Sequence, residues 1–194
     1  MTHIYFIRHA QPNYENHDDF SRELTLKGLK DRMLVADYLR DRGVDAVLSS
    51  PFKRAVDTVA PLAERLGLAV ETVEDFRERK VGSGWIEDFD GFVRRQWADF
   101  NYKLPGGESL GEVQERNLKA LDGVLEQFAG RTVVIGSHGT ALSTLVHHFR
   151  PGFGYAGFDR IRSVMPWVVH FVFDGRQCVS VEEHNVFTGK TSKI

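Results

Sequence analysis

Short apolar runs alternate with amphipathic stretches along the chain. After Thr25, apolar residues recur at helical spacing as far as Leu39, and Gly43 follows as a helix end. This alternation is typical of an α/β fold, and because no repeat or linker interrupts it, we predict one domain over residues 1–194. Strands are expected at 4–7, 46–48, 69–73 (an edge strand), 132–135, 167–173 and 179–181, the last two around a turn at Asp174-Gly175.

Capping signals predict further helices. Ser50 followed by Pro51 is typical of an N-cap with proline at the first helical position. Ser109 and Glu112 have the S-x-x-E spacing of a capping box. A helix is also expected after His138-Gly139, and residues 92–102 are compatible with one more.

The overall charge gives no sign of a polyanionic partner. The 194 residues include 25 lysines and arginines against 27 acidic residues, a net charge of -2, so we expect neither nucleic acid nor an acidic membrane as a partner. No signal-peptide pattern is found, and no apolar run approaches the ~20 residues of a membrane span. The single cysteine, Cys178, excludes an internal disulfide and fits a reducing compartment. We therefore expect a cytoplasmic protein, of open oligomeric state.

Three of the predicted strands end in residues suited to bind an anion. Arg8-His9 follows the first strand, Ser49-Ser50 with Arg54 nearby follows the second, and Ser137-His138 follows the third. In open α/β sheets ligands bind at the carboxyl ends of strands, so a mainly parallel sheet would bring these residues to one rim. The arginine fork and the free N–H groups of helix starts favour phosphate. Singly, such residues are more often structural; together they favour a pocket, because crowded positive charges need an anion between them.

The motifs around these residues, taken in order, resemble those of the histidine phosphatase superfamily, also called the phosphoglycerate mutase-like family. Arg8-His9-Ala10 resembles its Arg-His-Gly signature, with alanine in place of the usual glycine. Residues 24–28 resemble its Leu-Thr-x-x-Gly segment, and residues 49–58 its Ser-Ser-x-x-x-Arg-Ala-x-x-Thr stretch. Gly107-Glu108-Ser109 and Ser137-His138-Gly139 match two more segments, whereas Asn13-Tyr14-Glu15-Asn16 stands where the family often has Trp-Asn.

The resemblance implies a three-layer α/β/α sandwich with a mixed, largely parallel central sheet, and it implies roles for the matching residues. His9 would be the nucleophile that becomes phosphorylated, and Glu78 falls where the family has its acid/base carboxylate. Side chains that would surround the phosphate are Arg8, Arg54 and His138, and further candidates for substrate contact are Gln11, Asn16 (one residue out of register) and Gly139.

The activity implied is hydrolysis of small phosphomonoesters through phosphohistidine. The sequence contains no H-E-x-x-H, cysteine cluster, P-loop or dinucleotide fingerprint, so we expect neither a metal nor a cofactor. Two alternatives stay open: a cofactor-dependent phosphoglycerate mutase, and a non-catalytic protein that binds a phosphorylated ligand. The short chain and the segment 79–85 resemble the phosphatase branch more than the mutase branch.

Aromatic residues between 85 and 100 allow two interpretations. They could form an apolar cap over the pocket, which would favour substrates with an apolar or aromatic body, or they could pack a helix onto the domain. The residues are Trp85, Phe89, Phe92, Trp97 and Phe100. Arg160 and Arg162 similarly could meet a second acidic group of the substrate or remain solvated.

Overall fold

The computed structural model describes residues 1–83 and 86–194. The described residues form seven strands, six α-helices and one 3-10 turn at Glu74–Phe76. The strands are β1 (Thr2–Arg8), β2 (Ala46–Ser49), β3 (Val70–Thr72), β4 (Thr132–Ser137), β5 (Trp167–Asp174), β6 (Gln177–Asn185) and β7 (Lys190–Lys193). The helices are α1 (Leu26–Leu39), α2 (Lys53–Leu66), α3 (Phe89–Ala98), α4 (Leu110–Gln127), α5 (Gly139–Phe149) and α6 (Tyr155–Ile161).

All seven strands belong to one mixed sheet, in the order β3-β2-β4-β1-β5-β6-β7. The pairs from β3 to β1 are parallel, and the pairs from β1 to β7 are antiparallel. The predicted mixed α/β sheet is therefore confirmed, with its parallel half formed by β3, β2, β4 and β1. The carboxyl ends of β1, β2 and β4 consequently lie side by side at one edge of the fold.

Two apolar cores, one on each face of the sheet, give the three layers. Alternate residues of a strand point to opposite faces, so Tyr5 and Ile7 pack with residues of α1 and α2. Ile4 and Phe6 pack on the other face with residues of α3 to α6. Phe171 and Phe173 extend this second core into the antiparallel half.

Several element boundaries differ from the sequence-based predictions. Ser50 is not an N-cap, because α2 begins at Lys53 after an extended Phe52. The predicted helix at 92–102 begins earlier and ends earlier, as α3. Neither α6 nor β7 was predicted. By contrast, Thr25 accepts the Gly28 N–H as predicted, and Ser109 with Glu112 forms the expected capping box.

No helix among the described residues is long and apolar enough to span a membrane.

Candidate active site

The carboxyl ends of β1, β2 and β4 bring the predicted pocket residues together. Arg8 pairs in register with Ser137, and the His9 N–H donates to the Ser137 carbonyl at 3.0 Å. His138 follows directly on β4, and its ring centroid lies 5.3 Å from that of His9. Both imidazoles are buried. Residues that are far apart in the sequence therefore lie side by side at this edge of the sheet.

The His9 ring is oriented by its own backbone. Nδ1 lies 2.8 Å from the carbonyl oxygen of Ala10, and since a carbonyl only accepts, Nδ1 carries the proton and Nε2 keeps its lone pair. The Ala10 N–H in turn donates to Thr58 Oγ1 at 3.0 Å, and Thr58 donates to the Arg54 carbonyl at 2.7 Å. Ala10 is fully buried and no non-glycine residue among those described has a positive φ, so alanine fits here without backbone strain.

Arg8 is buried, and one nitrogen of its guanidinium group donates to backbone carbonyls. Nη1 donates to the carbonyls of Ile161 and Val164 at 2.6 and 3.2 Å. Nε is buried and has no hydrogen-bond partner among the described residues. A buried donor without an acceptor is costly, and here an anion would satisfy it. Gly139 makes room for this guanidinium, because a Cβ at that position would lie 3.0 Å from Arg8 Nε.

Arg54 is held by the loop that precedes α1. Nη1 donates to the Asp19 carbonyl at 2.6 Å, and Nη2 lies 3.0 Å from the Asp19 carboxylate. Arg22 approaches the same carboxylate at 3.2 Å and donates through Nε to the Asn16 carbonyl at 2.7 Å. Neither Asp19 nor Arg22 was predicted, since both lie in a polar segment without periodicity that would single them out.

Ser50 contacts His138 and does not cap a helix. Its Oγ lies 2.7 Å from His138 Nε2 and accepts the Phe52 N–H at 3.2 Å. A serine hydroxyl that accepts from Phe52 can donate its own proton to Nε2. In that arrangement the His138 proton is on Nδ1, a buried atom with no partner among the described residues.

The Glu78 carboxylate lies against the start of α5. It accepts the N–H groups of Thr140 and Ala141 at 3.0 and 3.1 Å, and the Arg79 N–H at 2.7 Å. Its negative charge also acts on Arg8 and Arg54, raising the pKa of both guanidinium groups against the larger effect of burial, which lowers it. Glu78 is thus near the same pocket.

Arg116, on α4, fixes the segment that carries Glu78. It donates to the carbonyls of Asp75, Arg77 and Glu78 at 2.7, 2.8 and 3.2 Å. Its Nε and Nη2 pair with the two oxygens of Glu108 at 2.8 and 3.1 Å. The contacts from Arg116 to these three carbonyls were not predicted, because they span about 40 residues and leave no local signal in the sequence.

Gln11 and Asn16 have other partners in the structure. Gln11 Oε1 accepts the Thr25 hydroxyl at 2.9 Å, and the Gln11 carbonyl accepts the Thr25 N–H at 3.0 Å. Asn16 donates its amide to Glu23 at 2.8 Å. Gly28 packs against the Gln11 backbone so closely that a Cβ at this position would clash with the Gln11 carbonyl oxygen. The Leu-Thr-x-x-Gly segment therefore fixes the chain that leaves the pocket.

The aromatic residues of the α3 region favour the packing interpretation. Phe92 is buried, and the Trp97 ring lies 5.5 Å from Phe158 and 5.6 Å from Phe100, next to the second core. Phe89 is partly exposed, and Trp85 lies outside the described residues. Arg160 pairs with Glu183, and Arg162 pairs with Asp90 and Asp159.

Burial and neighbouring charge keep both histidines neutral. Burial, with the positive charges of Arg54 and Arg8, holds the pKa of His9 well below its ordinary value. Burial and Arg54 have the same effect on the pKa of His138. A neutral imidazole is the form that can attack phosphorus. Among the described residues, no group of three or more histidine, cysteine or acidic side chains is placed to hold a metal ion.

Comparison with known proteins places this geometry in a family. An uncharacterized protein of Mycobacterium tuberculosis is 30% identical over 195 residues, covering 93% of this chain and 94% of its own. A probable phosphoglycerate mutase of Yersinia pestis is 28% identical over 158 residues, covering 75% of this chain and 74% of its own. The solved structure of a mycobacterial glucosyl-3-phosphoglycerate phosphatase superposes with a TM-score of 0.73 at 23% identity, covering 89% of this chain and 90% of its own, which shows a shared fold.

The family model for branch 1 of the histidine phosphatase superfamily matches residues 4–185, nearly the whole chain, including every motif named above. The chain belongs to the histidine phosphatase superfamily.

Proposed function

We propose that this protein hydrolyses small phosphomonoesters through a phosphohistidine on His9, without a metal ion. The observation that carries the proposal is the His9 ring, whose Nδ1 donates to Ala10 and leaves Nε2 unprotonated among positive charges. A fixed, neutral imidazole beside two arginines is suited to attack a phosphate dianion.

In the first step the lone pair of His9 Nε2 forms a bond to phosphorus while the bond from phosphorus to the ester oxygen breaks. Arg8 and Arg54 stabilise the charge on the transferring group, in the place that a metal ion takes elsewhere. Glu78, as a carboxylic acid, donates its proton to the leaving oxygen. The products are an alcohol and the phosphorylated enzyme.

In the second step Glu78, now a carboxylate, accepts a proton from water. As this proton moves, the water oxygen bonds to phosphorus and the bond to Nε2 breaks. Inorganic phosphate is released, and Glu78 is again a carboxylic acid, as it was before the first step. His138 Nδ1 and Arg8 Nε, both buried and unpaired among the described residues, supply hydrogen bonds to the phosphoryl oxygens in both steps.

Labelling tests the intermediate directly. A ³²P-labelled ester is mixed with enzyme and quenched in alkali, in which a phosphorus–nitrogen bond to imidazole survives. Label should remain on the wild-type protein and be lost in His9→Ala, whose turnover should fall by a factor of about 10³ or more. His17→Ala, which removes an exposed histidine, should keep the label and the wild-type turnover. Circular dichroism checks that His9→Ala is folded; label that stays on this variant would contradict the mechanism.

A phosphoglycerate mutase is the second candidate, favoured by the 28% identity to the probable mutase. Such an enzyme would return the phosphoryl group to a bound sugar acid. Incubation with 3-phosphoglycerate and bisphosphoglycerate separates the two: a mutase forms the 2-phospho isomer, whereas a phosphatase releases inorganic phosphate.

A further inference from the structure

An exposed aromatic ring lies close to the candidate active site. Phe20 lies in the loop between β1 and α1 and is 60% exposed, although its neighbour Asp19 holds the buried Arg54. Its ring centroid lies 6.0 Å from that of Phe52 at an angle of 71°, an edge-on pair.

The Phe20–Phe52 pair continues a row of rings that begins at the nucleophile. The Phe52 centroid is 5.2 Å from that of His138, which is 5.3 Å from that of His9. The row runs from two buried imidazoles through a partly exposed Phe52 to an exposed Phe20. The Arg54 guanidinium also lies over the Phe52 ring, 5.1 Å from its centroid. Phe52 therefore borders the cation that would hold the phosphate.

Phe20 is presented by a fixed turn. The Asp18 carboxylate accepts the N–H groups of Phe20 and Ser21, both at 2.9 Å, and its carbonyl accepts the Arg22 N–H at 2.9 Å. The Phe20 carbonyl accepts the Lys53 N–H at 3.0 Å, which joins the turn to the start of α2. The backbone that carries the ring is thus held in place, and little ordering of the turn would be needed when a ligand covers the ring.

We propose that Phe20 and Phe52 form a subsite for an aromatic or flat apolar group carried by the substrate next to its phosphate. This inference rests on the proposed hydrolase activity and names its substrate class. A phosphoryl group held by Arg54 would direct the ester's carbon body past the Phe52 ring toward Phe20. Burial of the exposed Phe20 surface would favour a body with an aromatic face over a short aliphatic one.

Two esters with matched leaving groups test the subsite. 2-Phenylethyl phosphate and ethyl phosphate both release a primary alcohol, so their demand for acid catalysis is similar. In the wild-type protein kcat/KM for the phenylethyl ester should exceed that for the ethyl ester by on the order of tenfold. Phe20→Ala should lower this ratio toward one, mainly through KM, and Phe20→Tyr, which keeps the ring, should preserve it.

A matched control uses Phe187, which is 47% exposed and whose ring lies against Lys27. Phe187→Ala should keep the wild-type ratio. Turnover of both esters with a ratio near one, or a ratio unchanged in Phe20→Ala, overturns the subsite alone. No turnover of either ester by the wild-type protein overturns the hydrolase proposal and the subsite with it.

Discussion

The Glu78 carboxylate lies near Arg8 and Arg54 and also accepts the N–H groups of Thr140 and Ala141 in the first turn of α5. Those N–H groups hold its two oxygens in fixed directions. A carboxyl group positioned in this way can donate to a leaving oxygen only if its protonated form keeps that orientation.

We predict that Glu78→Gln makes the reaction depend strongly on the leaving group. Glutamine keeps the size of the side chain but has no proton to give. For an alkyl phosphate, kcat/KM should fall by about 10²–10⁴, the usual contribution of general acid catalysis. An aryl phosphate, whose phenolate departs with little help, should lose much less. Equal losses for both esters, in a variant that melts near the wild-type temperature, would assign the proton to another group.

Because two arginines lie beside His9, we predict that the activity does not depend on divalent metal ions. Arg8 and Arg54 are buried in the pocket with His9 and can supply the positive charge that phosphoryl transfer requires. After incubation with EDTA and removal of the chelate, kcat should stay within about twofold of its starting value. Activity that is lost with EDTA and restored by a divalent ion would contradict this.

Site residues at strand ends could be found from the pattern of apolar runs, whereas Glu78, in an irregular segment, was assigned only through the family resemblance. Arg8, His9 and His138 follow apolar runs, so the rule for parallel sheets already places them at one rim. Asp19 and Arg116 act through contacts across 35 and about 40 residues, made from irregular chain or from a helix surface. No local pattern encodes such contacts.

The start of α5 shows how a helix end shapes the pocket. His138 precedes the helix, Gly139 begins it, and Arg8 lies against the glycine. The motif glycine therefore provides space for the Arg8 guanidinium.

We predict that Gly139→Ala weakens phosphate binding without unfolding the protein. The new Cβ would lie 3.0 Å from Arg8 Nε and 3.1 Å from Cζ, and the guanidinium cannot easily retreat because two carbonyls hold it. We expect the inhibition constant of inorganic phosphate to rise by on the order of tenfold, equivalent to about 1.4 kcal/mol.

Gly123→Ala is the matched control for Gly139→Ala. Gly123 lies inside α4, and a Cβ there would meet nothing within 4 Å. This change should raise the free energy of unfolding by about 0.5–1 kcal/mol and leave phosphate inhibition unchanged. Equal inhibition constants for both variants would show that Arg8 does not depend on the glycine.

Elements with local signals were predictable, and elements defined by distant contacts were not. The caps at Thr25 and Ser109 act across three residues, so the sequence displays them. Ser50 was predicted as a helix N-cap, but its hydroxyl contacts His138, 88 residues away. β7 was missed because its residues are all exposed and carry no apolar alternation.

The whole molecule buries several histidines in neutral form, and this links its stability to pH. Burial lowers the pKa of His9 and His138 well below the ordinary value. In the antiparallel half of the sheet, burial and neighbouring His3 lower the pKa of His170 to about 4. In the unfolded chain these groups titrate near ~6.5. Below that pH the unfolded state binds more protons than the folded state, so the free energy of unfolding falls as pH falls.

We predict that the protein is fully stable above about pH 7 and loses stability steadily toward pH 5. His170 should account for on the order of 1 kcal/mol of that loss, after allowance for its partial exposure. Carboxylates with a lowered pKa, such as Glu23 at about 2, lose their contribution only at lower pH. Urea unfolding at pH 7 and pH 5 should therefore show a smaller difference for His170→Gln than for the wild type. His17→Gln, an exposed site, should match the wild type, and an equal difference in all three proteins would contradict the linkage.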